Sequence, residues 1–141
     1  MVALVDTNVL VYCYDPRFPA KRAAAVRLLT ERGRRSEIVV PHQALLEFAA
    51  AVCRPRRDGA PLLSAEDARR EVEDLLLAYP VVFPNDEVVR TAIRGAAVYG
   101  LSWFDAHLWA YAETFDIPEL LSEDFQPGRV YGKVRITDPF A

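Results

Sequence analysis

Cysteine is scarce in this chain, and the two present, Cys13 and Cys53, are far apart with no CxxC pairing. That excludes a disulfide scaffold and a zinc module built on paired cysteines, and it fits a reducing cytoplasm. Long apolar runs are missing as well. The stretch from Ala44 to Val52 is interrupted by Glu47, and it falls far short of the ~20 residues that a membrane-spanning helix requires. Asp6 breaks the N-terminal apolar run before it reaches the length of a secretory h-region, so no signal peptide is expected and no membrane association with it. The six glycines form no phosphate-cradling loop.

What is present suits an ordinary globular protein: 141 residues, 52% hydrophobic and 26% charged. A chain of this length buries roughly two-thirds of the surface its unfolded form exposes, enough to fold without a disulfide or structural metal. Residues 1–141 are expected to form a single domain. The net charge of -3 divides unevenly, since residues 1–60 net +4 and the remainder -7. A basic side can bind phosphates locally on a protein that is acidic overall, so total charge does not exclude a nucleic-acid partner.

Short apolar runs alternate with longer segments of helical spacing. Five candidate strands, at Val2 to Val5, Glu37 to Val40, Val81 to Phe83, Glu119 to Leu121 and Val134 to Ile136, are each too short for a helix. Helices are expected over Ala20 to Arg32, stopped by Gly33, and over His42 to Arg54, closed by Pro55. Further helices are expected over Ser64 to Tyr79, Asp86 to Tyr99 and Trp103 to Phe115. The alternation predicts an α/β fold, a three-layer α/β/α sandwich around a central parallel sheet of about five strands. The segment RPRRDGAP, residues 54 to 61, reads as a mobile excursion.

Ligands of an open parallel sheet bind at the carboxyl ends of its strands. Asp6 directly ends the first candidate strand, and Asp124 lies three residues beyond Leu121. Glu47 sits inside the apolar helix ALLEFAAAV, and Asp105 begins an aromatic one. Each has a plain structural use. Asp6 can cap a short helix begun by Asn8, and Asp105 stands at capping-box spacing from Ser102. Glu47 can pair with Arg54 or face solvent, and Asp124 can be an ordinary loop acid. The four together carry more information than any one of them.

VDTNVLVY at residues 5 to 12, LLEF at 45 to 48, SWFDAHLWA at 102 to 110 and LLSEDFQPG at 120 to 128 resemble, in order and at domain-scale spacing, the four acidic motifs of PIN-domain nucleases. The similarity runs the length of the chain, through its RITDPFA tail. A domain of this size is similar, within that family, to VapC-type toxins of bacterial toxin-antitoxin pairs. The resemblance implies a catalytic set of Asp6, Glu47, Asp105 and Asp124, with Thr7, Asn8 and Ser102 as supporting polar groups. Glu123, beside Asp124, leaves the fourth position ambiguous, and a spacing of two from Ser122 favours Asp124.

Carboxylates packed together repel one another, and a divalent cation removes that penalty. Mg²⁺ or Mn²⁺ takes oxygen ligands, and such an ion activates water for attack on a phosphodiester. Asp6 and Asp105 are assigned as the principal metal ligands, Asp124 as a further ligand, and Glu47 as ligand or water-positioner. The expected activity is a metal-dependent endoribonuclease acting on RNA. The resemblance adds a cognate antitoxin as partner and a homodimer. A housekeeping RNA-processing nuclease and a non-catalytic binding module are the alternatives. A phosphatase with Asp6 as nucleophile is disfavoured because Asn8 stands where a second acid is wanted.

Other residues rank lower. His42 and His107 read as surface or packed histidines. Trp103, Phe104, Trp109, Tyr111 and Phe115 read as core at helical spacing rather than as base-stacking groups. Arg54, Arg56 and Arg57 are the favoured phosphate contacts, because Arg54 lies two turns along the helix from Glu47.

Overall fold

The computed structural model describes residues 1–141 and contains six strands and six helices. In chain order they are β1 (Ala3–Val5), α1 (Thr7–Tyr12), α2 (Pro19–Arg34), β2 (Ile38–Pro41), α3 (His42–Cys53), α4 (Ala65–Ala78), β3 (Val81–Val82), α5 (Asp86–Tyr99), α6 (Trp103–Thr114), β4 (Glu119–Leu121), β5 (Val130–Tyr131) and β6 (Val134–Thr137). The sheet runs β3-β2-β1-β4-β6-β5, parallel throughout except for the antiparallel β5–β6 pair.

β1 is buried on both faces. Ala3 and Val5 pack with Val9, Leu10, Ile38, Val40 and Phe48 under helices α1 to α4. Leu4 points the other way, into a cluster with Leu108, Trp109, Tyr111, Leu120 and Ile136 beneath α5 and α6. The period-2 alternation of a strand therefore divides one sheet between two helical layers. The result is the expected three-layer α/β/α sandwich.

Three local expectations are corrected. A sixth strand, β5, joins the sheet through a turn at Gly132 (φ 60°). With only two residues, it leaves no hydrophobic period to detect. Gly33 does not stop α2, which continues to Arg34. A Cβ at Gly33 would stand 3.1 Å from Tyr79 Cε1, so the glycine admits a neighbouring ring instead of ending the helix. The six-residue α1, considered from sequence only as something Asp6 could cap, is a full element. Gly100 does terminate α5 as expected, in the left-handed region at φ 68°.

From β1 the chain crosses to β2 and β3 on one side, then returns to place β4 and β6 on the other. The strand order therefore reverses between β1 and β4, and the crevice outside their carboxyl ends is where this class of sheet binds ligands.

Candidate active site

Asp6 leaves β1 at that crevice, and its backbone N–H extends the β1–β4 pairing by donating to Leu121 O at 3.0 Å. Its carboxylate caps α1 by accepting from Thr7 N at 2.6 Å. Ser122, fully buried just past β4, donates from Oγ to Asp6 Oδ2 at 2.5 Å and accepts from Asp124 N at 3.0 Å. Asn8 Nδ2 donates to Asp6 Oδ2 at 3.3 Å and to Asp124 Oδ2 at 3.1 Å. Residues separated by more than a hundred positions are thus joined at the two strand ends.

Glu47 comes from α3, which starts immediately after β2. Thr7 Oγ1 donates to its Oε2 at 2.8 Å and Gln43 Nε2 to its Oε1 at 2.9 Å. Gln43 also donates to Phe104 O, and its Oε1 lies 2.7 Å from His107 Nδ1. Asp105 sits in the first turn of α6, its N–H accepted by the N-cap Ser102 Oγ at 3.2 Å. The capping roles considered for Asp6 and Ser102 are real and compatible with a place in the cleft.

Asp6, Glu47, Asp105 and Asp124 all line one cleft of about 370 Å³. Burial pushes the Asp6 carboxyl up, hydrogen bonds from Ser122 and Thr7 pull it down, and repulsion by Asp124 and Asp105 adds to the rise, leaving it at about 7. Asp105 is also raised, by burial first and then by Asp124 and Glu47, against the Ser102 hydrogen bond. Burial holds His107 below its ordinary value, against the attraction of Glu47.

The donor set fits a hard divalent cation, with one qualification. No three Asp, Glu, His or Cys side chains stand close enough to close on a bare ion. Mg²⁺ keeps several waters and needs only one or two direct carboxylates. The buried Asn8 Oδ1, amid these carboxylates, has no hydrogen-bond partner, and the water of a hydrated ion is a suitable donor for it. Asp6 and Asp105, whose charges are the hardest to keep in the metal-free protein, have the most to gain.

Glu123 turns away from this group. Tyr12 Oη donates to its Oε1 at 2.6 Å and Lys21 Nζ to its Oε2 at 2.8 Å. Partial burial pushes its carboxyl up, but those two bonds outweigh the effect and hold it below its ordinary value.

Sequence reasoning missed Gln43 and Arg17, and it used Ser122 only as a spacing marker for Asp124. Gln43 carried a signal, standing four residues before Glu47 on a helix, and Ser122 stands two before Asp124. Arg17 carried none, yet it is the only cationic residue lining the cleft. Arg56 instead donates to Ala60 O and approaches Asp58 within its own turn, so RPRRDGAP carries internal bonds. Among the aromatics, Trp109 and Tyr111 are core, whereas Trp103 and Phe104 are exposed and Phe104 lines the cleft.

A model of the PIN domain matches residues 3–133. The chain belongs to the PIN domain family. Solved structures extend the likeness at the level of fold. A chain from a toxin-antitoxin complex of Klebsiella pneumoniae superposes with a TM-score of 0.69 at 15% identity, covering 97% of each chain. VapC20 of Mycobacterium tuberculosis, a toxin that cleaves the sarcin-ricin loop, gives 0.64 at 17% identity over 84% of this chain and 86% of its own. VapBC2 of Rickettsia felis, solved with a DNA fragment from its promoter, gives 0.64 at 13% identity over 88% and 89%. No curated protein matches the sequence. No helix of this PIN domain is long and apolar enough to cross a membrane.

Proposed function

We propose that residues 1–141 act as one metal-dependent endoribonuclease, the VapC-like toxin of a bacterial toxin-antitoxin pair. The observation that carries this reading is the convergence of Asp6, Glu47, Asp105 and Asp124 on one cleft at the β1–β4 switch point. Asp6 is disposed so that its negative charge is costly without a cation.

Asp6 and Asp105 would hold Mg²⁺ or Mn²⁺, with Asp124 joining as a further ligand through a coordinated water. Such an ion, when bound, would supply an activated water and compensation for charge on the leaving oxygen. Glu47, restrained by Thr7 and Gln43, orients the attacking water. Asn8 and Ser122 keep the carboxylates of Asp6 and Asp124 in register. Attack on phosphorus breaks the P–O3′ bond, giving 5′-phosphate and 3′-hydroxyl ends without any need for the 2′-hydroxyl.

The toxin assignment draws support from the K. pneumoniae chain, matched over nearly its whole length, and from the M. tuberculosis toxin. With it come a cognate antitoxin, a homodimer and action in the cytoplasm.

The test is incubation of the purified chain with structured RNA and Mn²⁺ or Mg²⁺, with and without EDTA, followed by mapping of the product ends. Cleavage surviving EDTA, or 2′,3′-cyclic phosphate ends, would reject the mechanism. Metal-independent RNA binding without cleavage would favour a non-catalytic module.

A further inference from the structure

A cleft lined by five carboxylates repels the polyanion that the proposed function requires it to bind, so any cation fixed at its rim has unusual leverage. Arg17 is that cation, lying in the turn between α1 and α2. Its Nε donates to Asp15 Oδ1 at 2.9 Å and one Nη to Asp15 Oδ2 at 2.7 Å, and its own N–H donates to Oδ1 at 3.1 Å. Asp15 is almost fully buried, whereas the Arg17 side chain remains 54% exposed. The buried partner therefore occupies one edge of the guanidinium and leaves its outer edge, with two parallel N–H directions, free. The next residue, Phe18, also lines the cleft, is 42% exposed and lies 5.5 Å beneath the guanidinium carbon.

A surface ion pair made only for stability contributes little, and burying a carboxylate for that purpose costs more than it returns. Fixing a fork-shaped donor against its own flexibility is a better account of the arrangement, because Arg rather than Lys presents a planar edge matched to two phosphate oxygens. Phe18 beside it, held between the Arg17 and Lys21 cations and edge-on to Tyr12, keeps an exposed part of its ring against which an unstacked base can lie. Arg56, near enough to Asp15 to help lower its pKa, reinforces the charge of that anchor.

We propose that Arg17 binds a phosphate of single-stranded RNA flanking the scissile one, with Asp15 as the positioning residue that presets the guanidinium and Phe18 as the adjoining base platform. This rests on the nuclease reading above. Association then depends on a contact outside the carboxylate group: Arg17 contributes to capture of the strand while the acids carry the chemistry. An acidic segment of a protein partner could use the same fork. The neighbouring aromatic face and the acidic floor, which a metal must neutralise for a phosphodiester to enter, favour RNA.

The experiment measures cleavage kinetics and RNA binding as a function of salt for wild type, Arg17→Ala, Arg17→Lys, Phe18→Ala and, as a charge-loss control on the exposed face of α5, Arg94→Ala. Binding is read by fluorescence anisotropy of an end-labelled single-stranded oligonucleotide with Ca²⁺ present. Arg17→Ala is expected to raise KM about tenfold with kcat within a factor of three. It should also flatten the log–log salt slope by about 0.7, the loss of one single-strand phosphate contact. Arg17→Lys should keep the slope but recover only part of the affinity, and Phe18→Ala should weaken binding without changing the slope. An unchanged KM and slope in Arg17→Ala, or an equal loss in Arg94→Ala, would overturn the proposal. Wild type that neither binds nor cleaves RNA under these conditions would instead overturn the nuclease reading on which it rests.

Discussion

Ser122 Oγ donates to Asp6 Oδ2 at 2.5 Å while accepting the N–H of Asp124 at 3.0 Å, so one buried hydroxyl ties together the acids that follow β1 and β4. Ser122→Ala removes a bond that favours ionised Asp6 and leaves the Asp124 N–H without that acceptor. Removing a partner that orients a metal ligand typically costs 10–100-fold in metal affinity or activity. The expected outcome is a metal titration of cleavage displaced to about tenfold higher Mn²⁺. Its pH profile should shift to the alkaline side, because Asp6 loses a group that lowers its pKa. A metal titration that overlays wild type would show that Ser122 serves packing alone.

The raised pKa of Asp6 also makes a prediction about stability. An acid titrating near 3.8 when unfolded and near 7 when folded binds more protons in the native state between those values. Stability from this group is complete below about pH 4 and is lost as pH rises toward 7. Scaled by about 1.4 kcal/mol per pH unit, the full effect is at most about 4 kcal/mol. In EDTA, the melting temperature should fall between pH 5 and pH 8, and Mg²⁺ should restore more of it at pH 8 than at pH 5. Asp6→Asn should abolish cleavage, lose most of that pH dependence, and melt at or above wild type at pH 8. Asp105 is raised in the same direction, so Asp105→Asn should be inactive with a smaller stability effect.

The acids were legible because three of them sit at or near element boundaries that sequence marks well: the apolar run ended by Asp6, the Ser102 cap before Asp105, and the strand before Asp124. Glu47 stood out as a charge inside an apolar helix. The partners of these acids were harder to find. His107 meets Gln43 only because α6 and α3 converge over the sheet ends, across 64 positions of chain. Helical spacing favours Arg54, Arg56 and Arg57 over Arg17, since a position two turns from Glu47 reads as close to the cleft. α3 actually ends at Cys53, Arg54 is extended, and Arg56 bends back onto Ala60. Neither the turn that brings Arg17 to the rim nor the burial of Asp15 follows from spacing.

Helix α5 approaches α6 through Gly95. A Cβ there would fall 2.3 Å from Trp109 Cζ3, inside the ring's own volume. Alanine normally favours a helix interior by about 1 kcal/mol over glycine. Here overpacking, worth typically 1–3 kcal/mol or more, works against that gain. Gly95→Ala should therefore lower stability by about 1–2 kcal/mol in chemical denaturation. A shift in tryptophan fluorescence should accompany it as Trp109 Nε1 is displaced from Tyr131 O, which it reaches at 3.0 Å. A more stable variant would mean that the two helices separate at little cost.

The toxin assignment makes its sharpest prediction in living cells. On the proposed toxin reading, the cleft that gathers Asp6, Glu47, Asp105 and Asp124 is the place where an antitoxin would act. A peptide that brings an arginine or lysine among Asp6, Asp105 and Asp124 would compensate their repulsion as a cation does, and so compete with the metal. Induced expression of this chain alone should arrest growth, while co-expression with a cognate antitoxin should relieve the arrest. Asp6→Asn should be harmless by itself yet still bind that partner, because the remaining acids and the surrounding surface persist. The measurement is growth after induction, with soluble protein verified by immunoblot and complex formation checked by co-purification. Normal growth at high levels of soluble wild type would remove the toxin assignment and leave an RNA-processing nuclease. Arrest by Asp6→Asn equal to wild type would mean that toxicity does not arise from cleavage.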